Sequence, residues 1–210
     1  PNVVRVFDSG EDNERYYIAM ELMPGGSLQD KLNALDHAHL GLPVQTALEI
    51  SRQIASGLAH AHAQGVTHRD LKPANVLIRE DGHHALADFG IAQVVDATAL
   101  TRPHTLLGTP IYMSPEQAQG LPADPRSDLY SLGVVIYELL AQRPPFMADT
   151  TPALLYKHVH ESPPPLGEEI PARARTLVRA LGWALGATMA RGGCRPPPSG
   201  PAASRTSWSA

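Results

Sequence analysis

Two short polar motifs, separated by a predicted hairpin, constrain this chain more than any other feature. The first, at residues 68–75, reads His-Arg-Asp-Leu-Lys-Pro-Ala-Asn, and the second, at residues 88–90, reads Asp-Phe-Gly. Between them, two apolar runs flank Asp81-Gly82, a dipeptide that favours a tight turn between antiparallel strands. Because a hairpin returns the chain on itself, we expect Asn75 and Asp88 to meet although they are distant in sequence.

The side chains of these motifs suit a site that positions a hydroxyl and holds a metal ion. An isolated loop aspartate is as readily a helix cap as a catalytic group, but Asp70 is accompanied by Lys72, Asn75 and Asp88. Amide and carboxylate oxygens are the ligands that Mg²⁺ prefers. Together the two motifs resemble the catalytic motifs of the protein kinases.

The resemblance implies a role for each of these residues in phosphoryl transfer from ATP. Asp70 would accept the hydrogen bond of the substrate hydroxyl and take its proton, and Lys72 would reach the transferring phosphoryl group. Asn75 and Asp88 would hold Mg²⁺ beside the phosphates of ATP. Such a site works mainly by positioning groups and neutralising charge.

Two β-type runs open the chain, at residues 2–7 and 16–20. The residues between them, 8–13, are rich in turn-forming types, so the pattern predicts an antiparallel pair of strands. By resemblance, these are the last two strands of a kinase small lobe, and residues 20–23 are the hinge to the large lobe.

A hinge at this place implies an adenine-binding site. By resemblance, backbone groups of Glu21 and Met23 hydrogen-bond the adenine edge, Met20 gates the pocket behind it, and Leu77 forms the floor under the ring. The alternative is a plain edge hairpin, but the position ahead of the two catalytic motifs favours the hinge. The glycines at 25 and 26 are not a phosphate-binding loop, because no strand precedes them with the required spacing.

Helical periodicity marks several stretches after the hinge. Ser27 is placed to cap a short helix that runs to about residue 35. Apolar residues recur at helical spacing over residues 44–64, and Gly65 follows where a helix often ends. A second strongly apolar helix begins at Asp128 and should be buried. The resemblance implies that this aspartate binds the backbone of the catalytic loop.

The stretch from residue 91 to residue 111 has little periodicity and contains several threonines. It resembles a kinase activation segment, which here is closed by Gly108-Thr109-Pro110 and Ser114-Pro115-Glu116. By resemblance, Thr109 hydrogen-bonds the catalytic aspartate and shapes the substrate groove.

Arg69, immediately before Asp70, suggests how the protein is activated. In the family, an arginine at this place marks kinases whose activation segment is ordered by an added phosphate. A guanidinium can bind a phosphothreonine through two parallel hydrogen bonds. We expect Thr101 or Thr105 to carry that phosphate.

Composition limits the partners of the chain. The formal net charge of −4 argues against non-specific nucleic-acid binding, and no apolar run approaches the roughly 20 residues of a membrane helix. A single cysteine, Cys194, fits a reducing, cytoplasmic compartment, although a longer parent protein could be membrane-anchored. The histidines of the four close pairs at 37/39, 60/62, 83/84 and 158/160 are not spaced for one helix face, so we interpret them as solvated surface.

The resemblance covers residues 1–181, a partial kinase domain with the end of the small lobe and hinge at 1–23 and the large lobe at 24–181. The sequence contains no Gly-rich loop and no Val-Ala-x-Lys strand. Residues 182–210 are rich in Gly, Pro, Ser and Arg, which predicts a disordered tail or a frameshifted reading. In that tail, Arg191 and Arg195 are weak candidates to pair with Glu116. We therefore expect a fragment of a longer protein that is inactive alone.

The sequence thus predicts an α+β, protein-kinase-like fold, with a mainly helical large lobe and only the last strands of the small lobe. The predicted function is ATP- and Mg²⁺-dependent phosphorylation of serine and threonine in protein substrates, with self-association possible for autophosphorylation. Two alternatives stay open: a non-catalytic, pseudokinase-like binding module, and a small-molecule phosphotransferase. Intact Asp70, Asn75 and Asp88 argue against the first, and the activation segment argues against the second.

Overall fold

The computed structural model describes residues 1–13, 15–35, 42–89, 110–168 and 170–178. As predicted, it is an α+β structure with two small antiparallel sheets and a mainly helical remainder. The strands are β1 (Val6–Asp12), β2 (Arg15–Met20), β3 (Val76–Ile78) and β4 (His84–Leu86). The helices are α1 (Leu28–Asn33), α2 (Val44–Ala63), α3 (Pro115–Ala118), α4 (Pro125–Ala141) and α5 (Thr151–His160). Two 3₁₀ turns, Pro73–Asn75 and Pro110–Tyr112, and the helical residues 172–178 complete the described elements.

The first hairpin is antiparallel, but its predicted bounds were wrong. β1 includes residues 8–12, which were predicted to connect the two strands. The strand pairing extends as far as Asp12, which lies opposite Arg15. The residues before β1 join the other sheet instead: the Val4 N–H donates to the Leu86 carbonyl at 2.8 Å. Val4 is buried there, which explains its apolar character, whereas the β1–β2 ladder is largely exposed and tolerates polar residues.

The second hairpin forms where the sequence predicted it. β3 and β4 are antiparallel, with Val76 opposite Leu86 and Ile78 opposite His84. Gly82 in the turn has a φ of 82°, a left-handed conformation that glycine adopts without steric cost. The hairpin lies between the two catalytic motifs and fixes their separation.

Local sequence signals explain the first two helices. Ser27 Oγ accepts the Asp30 N–H at 3.1 Å, and the Asp30 carboxylate accepts the Ser27 N–H at 2.8 Å, a reciprocal capping box at the start of α1. α2 ends one residue before the predicted limit. Gly57, in its middle, lets the chain near Asn2 cross the helix, because a Cβ at that position would collide with the Asn2 carbonyl oxygen.

The helix predicted to begin at Asp128 begins earlier, at Pro125. Asp124 caps it by accepting the Arg126 N–H at 2.7 Å, and proline is favoured at the first helical position because its missing N–H would be unpaired anyway. Asp128 therefore lies in the first turn of α4. Most of the helix is buried, as its apolar sequence predicted, and with α2 it forms the core of the large helical region.

The interpretation of the paired histidines as solvated surface was wrong for three of them. His84 and His158 are only 4% and 3% exposed, and the His62 ring is half-buried. Each ring lies within hydrogen-bonding distance of another side chain: His84 of Gln53 at 3.1 Å, His158 of Tyr130 at 2.9 Å and His62 of Asp128 at 2.7 Å. A histidine can be buried when one of its ring nitrogens finds a partner, and spacing along the sequence does not reveal that partner.

None of the helices in the described part of the chain combines the length and apolar character needed to cross a membrane.

Candidate active site

Two of the predicted catalytic residues, Lys72 and Asn75, converge on the carboxylate of a third, Asp70. Lys72 Nζ lies 2.7 Å from Asp70 Oδ2, and Asn75 Nδ2 donates to the same oxygen at 3.1 Å. Asn75 Nδ2 also donates to the Asp70 backbone carbonyl at 2.8 Å. The Asp70 side chain is 48% exposed whereas Asn75 is buried, so a buried amide holds a carboxylate that faces solvent.

The hairpin places the second motif directly beside Asn75. The Ala87 N–H donates to the Asn75 carbonyl at 2.9 Å, and Asp88 follows immediately. Asp88 is exposed and has a φ of 56°, a left-handed conformation that is uncommon among residues other than glycine. Such backbone strain persists only where the surrounding structure imposes it, and it is frequent at functional sites.

His68 links the two motifs from inside the core. Its Nε2 lies 3.0 Å from the Ala87 carbonyl, and its ring centroid is 4.7 Å from that of Phe89. Since the carbonyl can only accept, Nε2 carries the proton, and Nδ1 is left to accept the Asp70 N–H at 3.4 Å. Burial lowers the pKa of His68, which keeps the ring neutral in this role. The sequence singled out His68 only as part of the motif.

Asp128 anchors the backbone of the catalytic loop, as the resemblance implied. Its side chain is 1% exposed, Oδ2 accepts the His68 N–H at 2.8 Å, and Oδ1 accepts the Arg69 N–H at 2.8 Å. His62, on α2, provides a third contact at 2.7 Å from Oδ2. The buried carboxylate thus has three partners, which offsets the cost of removing it from water.

Arg69 is held by its backbone, and its side chain is exposed. It has a φ of 67°, and its carbonyl accepts a 2.7 Å hydrogen bond from Gln117 Nε2 on α3. Within the described residues, no carboxylate forms an ion pair with the Arg69 guanidinium. The spacing of Ser114 and Gln117 is a capping-box signal in the sequence, but nothing there indicated that Gln117 also reaches the catalytic loop.

The predicted hinge is bound to the β3–β4 hairpin by an ion pair that sequence reasoning missed. Arg79 Nη2 lies 2.7 Å from Glu21 Oε1, and Arg79 Nε donates to Oε2 at 3.2 Å. The Arg79 hydrogen bond lowers the pKa of Glu21. The Glu21 N–H donates to the Arg5 carbonyl at 2.9 Å, so its own carbonyl is the backbone group that remains for a ligand.

Two of the four residues predicted for the adenine site share one apolar cluster beside the second sheet. Met23 and Leu77 both pack against the small apolar cluster of Val4, Ala85 and Ala87. Met20 is 38% exposed at the end of β2. The structure therefore brings the predicted floor residue and one hinge residue together.

The Pro110–Tyr112 turn, at the end of the predicted activation segment, is hydrogen-bonded to α4. The Tyr112 hydroxyl donates to Glu138 Oε2 at 2.7 Å, and Ser131 Oγ donates to the Tyr112 carbonyl at 2.7 Å. Burial raises the pKa of both Tyr112 and Glu138. Close by, the Ser127 hydroxyl donates to the buried Glu116 carboxylate, a partner that the sequence had not suggested.

The other predicted regulatory and tail residues fall outside the described residues. These are Thr101, Thr105 and Thr109 in the predicted activation segment, and Arg191 and Arg195 in the tail, which were weak candidates to pair with Glu116.

Comparison with known proteins agrees with this geometry. The protein kinase domain model matches residues 1–181. Serine/threonine-protein kinase PrkC of Bacillus subtilis is 40% identical over 164 residues, which cover 78% of this chain and 25% of PrkC. Serine/threonine-protein kinase PknL of Mycobacterium tuberculosis is 40% identical over 162 residues, 77% of this chain and 40% of PknL. Serine/threonine-protein kinase PknA of Mycobacterium tuberculosis is 39% identical over 183 residues, 85% of this chain and 42% of PknA.

The chain thus spans less than half the length of each of these relatives. The family match covers most of the chain and includes both motifs predicted to be catalytic, Asp128 and the residues predicted to form the hinge. On these grounds, the chain belongs to the protein kinase domain family.

Proposed function

We propose that this chain contributes the catalytic loop of a serine/threonine protein kinase, which transfers the γ-phosphate of ATP to hydroxyl groups of proteins. The observation that carries the proposal is the convergence of Lys72 and Asn75 on the Asp70 carboxylate, at 2.7 Å and 3.1 Å. A helix cap would not need a buried amide and an ammonium group directed at the same oxygen.

In this proposal Asp70 is the base. Lys72 and Asn75 occupy Oδ2, which leaves Oδ1 to accept the hydrogen bond of a substrate hydroxyl. The carboxylate is half-exposed, so a protein segment can reach it. Positioned general bases typically accelerate a reaction by about 10²–10⁴-fold.

Lys72 supplies positive charge where the phosphoryl group is transferred. Its ammonium group has three N–H donors, and the bond to Asp70 uses one of them. The others can bind phosphate oxygens, so the same side chain can bring base and phosphate together. Such preorganised donors stabilise charge that develops in the transition state.

Asn75 and Asp88 are suited to hold Mg²⁺. The family in general uses ATP and Mg²⁺, and the ion neutralises phosphate charge when it is bound. The Nδ2 group of Asn75 faces the Asp70 carbonyl. The amide oxygen of Asn75, Oδ1, is therefore turned away from that carbonyl and can serve as a metal ligand. The exposed Asp88 carboxylate adds a second oxygen ligand, and Mg²⁺ usually binds one or two carboxylates together with substrate phosphates and water.

The hinge residues suit the adenine of ATP. The Glu21 carbonyl provides an acceptor and the Met23 N–H provides a donor along one edge, and Leu77 provides an apolar surface. The Arg79–Glu21 ion pair, at 2.7 Å, fixes the hinge relative to the strand that carries Leu77. Met20 remains the proposed gating residue.

The choice of serine and threonine as acceptors has two supports. Lys72 and the Gly108-Thr109 pair resemble the serine/threonine branch of the family. The relatives that match are named serine/threonine-protein kinases.

The test is transfer of labelled phosphate from Mg-ATP to a generic basic protein, followed by analysis of the labelled amino acids. It is run on residues 1–210 and on an extended protein, defined as this chain preceded by a kinase small lobe that carries a Gly-rich loop and its lysine. We expect phosphoserine and phosphothreonine from the extended protein and no measurable transfer by residues 1–210 alone. An inactive extended protein, or label confined to tyrosine, would contradict the proposal.

A further inference from the structure

Gln117 lies on the short helix that follows the predicted activation segment, and its side chain reaches the catalytic loop. Its Nε2 donates to the backbone carbonyl of Arg69 at 2.7 Å, across 48 positions of the sequence. Arg69 immediately precedes Asp70, the proposed base. The bond therefore joins α3 directly to the loop that carries the base.

The partners of the Gln117 amide settle which of its ends is the donor. The amide oxygen, Oε1, accepts the backbone N–H of Ser114 at 3.1 Å. A backbone N–H can only donate and a backbone carbonyl can only accept, so Oε1 faces Ser114 and Nε2 faces Arg69. Ser114 Oγ lies 2.9 Å from the same oxygen, and Ser114 is fully buried. The amide is thus held in one orientation from the α3 side.

A helix cap explains only one end of the Gln117 amide. A glutamine three residues after a serine forms a capping box, in which the side chain of the glutamine binds the backbone N–H of the capping residue. That function needs Oε1 alone. The Nε2 bond to Arg69 adds nothing to the start of α3, so the alternative that Gln117 only caps its helix leaves the 2.7 Å contact unexplained.

Arg69 is held at both of its backbone groups. Its N–H donates to Asp128 Oδ1 at 2.8 Å, and its carbonyl accepts the bond from Gln117. Its φ of 67° is a strained conformation, which persists only where the surroundings impose it. Asp128 lies on α4 and Gln117 lies on α3, so two separate elements hold Arg69 in that conformation.

The bond from Gln117 also restricts the peptide unit that leads into Asp70. The Arg69 carbonyl and the Asp70 N–H belong to one planar unit, so a partner at either end restricts the whole plane. Gln117 holds the carbonyl end at 2.7 Å, whereas the Asp70 N–H lies 3.4 Å from His68 Nδ1. The shorter distance makes the carbonyl end the firmer attachment. The direction in which the Asp70 side chain leaves the backbone therefore depends on Gln117.

We propose that Gln117 is a positioning residue for the catalytic base and acts through the peptide between Arg69 and Asp70. The inference rests on the proposed kinase function, because Gln117 acts on the reaction only through Asp70. A misplaced base slows proton transfer in the transition state without changing how the substrates bind. Loss of the Gln117 donor should therefore lower kcat and leave the KM values for ATP and for the protein substrate unchanged.

Two substitutions separate the bond to Arg69 from the helix cap. Gln117→Glu keeps an oxygen that accepts the Ser114 N–H, as glutamate does in other capping boxes, but has no N–H for Arg69. Gln117→Met removes both contacts without adding a charge. Gln119→Glu is the matched control. Gln119 Nε2 also donates to a backbone carbonyl, at 3.0 Å, but that carbonyl belongs to Pro115 at the start of the same helix.

Hydrogen exchange tests the bond without any need for activity. In residues 1–210, both Gln117 variants should raise amide exchange at Arg69 and Asp70 about three- to tenfold, the range expected for one lost hydrogen bond, while exchange in α2 is unchanged. Gln119→Glu should change neither region. Unchanged exchange at Arg69 and Asp70, or a uniform rise across the chain in both Gln117 variants, would overturn the proposal.

Kinetics of the extended protein test the assigned role. We expect Gln117→Glu and Gln117→Met each to lower kcat about three- to tenfold, with KM for ATP and for the protein substrate within about twofold of the unsubstituted protein. Gln119→Glu should retain full activity.

Three kinetic results would overturn the proposal. A fall of kcat in Gln117→Met alone would show that Gln117 only caps α3. A fall in Gln117→Glu alone would be an effect of the added charge. A rise of KM with unchanged kcat in both variants would place Gln117 in substrate binding instead.

The two experiments also separate this inference from the proposed function. If the unsubstituted extended protein transfers no phosphate, the proposed function fails, and the role of Gln117 in catalysis fails with it. The exchange results then still decide whether Gln117 holds the loop. If the unsubstituted protein is active and both Gln117 variants keep its kcat, only the role of Gln117 fails.

Discussion

Asp128 Oδ1 accepts a 2.8 Å hydrogen bond from the backbone N–H of Arg69, the residue immediately before Asp70. Arg69 has a φ of 67°, and a non-glycine residue in this region typically costs about 1–3 kcal/mol. The buried carboxylate therefore holds the loop in a conformation that it would not adopt alone. Asp128 thereby orients Asp70 from a position in the core.

Replacing Asp128 should destabilise the fold. Asp128→Ala leaves the N–H groups of His68 and Arg69 without their acceptor, and each buried unsatisfied donor costs about 1–3 kcal/mol. We expect the free energy of unfolding of residues 1–210, measured in urea, to fall by about 2 kcal/mol or more. Asp149→Ala, at an exposed position, is the control and should change it by less than about 0.5 kcal/mol. Equal stability of the two variants would show that Asp128 is not an anchor.

Much of the site could be predicted from the sequence because its signals are local. The Asp81-Gly82 turn predicts the hairpin that joins Asn75 to Ala87, and the apolar periodicity predicts α2 and the burial of α4. The roles of Asp70 and Asp128 came from resemblance to a family. The structure shows the hydrogen bonds of Asp128 to the loop, and the catalytic role of Asp70 stays a prediction.

What the sequence could not predict are contacts between distant elements. Arg79 meets Glu21, and His158 meets Tyr130, only after the chain has folded, and neither pair has a characteristic spacing. The boundary of β1 was wrong for a similar reason, since Val4 pairs with Leu86 instead of extending the first hairpin. Helical and strand periodicities describe one element at a time and carry no information on such pairs.

Removal of the Asp88 carboxylate should affect binding of the metal-bound nucleotide most. In the extended protein, Asp88→Ala should weaken ATP binding in the presence of Mg²⁺ by about tenfold or more and change binding of metal-free ATP much less. Calorimetric titration with and without Mg²⁺ measures both values. Glu80→Ala removes an exposed carboxylate near the hairpin turn and should change neither. If Asp88→Ala weakens ATP binding equally with and without Mg²⁺, Asp88 is only a turn residue.

Two buried histidines should make the fold sensitive to mild acid. Burial lowers the pKa of His84 and of His158 to about 4, from an ordinary value of 6.5. Between these values the unfolded chain binds protons that the folded chain does not, so stability is lost as pH falls from about 6.5 towards 4. The loss approaches about 1 kcal/mol per pH unit for each histidine.

Urea unfolding between pH 6.5 and pH 5 measures this effect before most carboxylates titrate. The double variant His84→Gln/His158→Gln should show a clearly smaller slope of unfolding free energy against pH than the unsubstituted chain. Identical slopes would mean that these histidines are not held neutral by the fold.

Activation by phosphorylation remains a prediction, centred on Arg69. Its exposed guanidinium has no carboxylate partner within the described residues. The phosphate of a phosphothreonine would be an anionic partner that carries about −1.5 to −2 charges. Mass spectrometry of the extended protein after incubation with Mg-ATP should find phosphate on Thr101 or Thr105, and none in the Asp70→Asn protein. Full activity of a Thr101→Ala/Thr105→Ala double variant would require another role for Arg69.

The central claim is that Asp70 is the base of a protein kinase, and a single substitution tests it most directly. Asp70→Asn keeps the size of the side chain and its possible contacts to Lys72 and Asn75 but removes the carboxylate. In the extended protein, we expect kcat for a protein substrate to fall about 10²–10⁴-fold while the affinity for Mg-ATP changes by less than about threefold. Asp149→Asn makes the same change at an exposed position and should retain full activity. Turnover by Asp70→Asn within twofold of the unsubstituted protein would contradict the account.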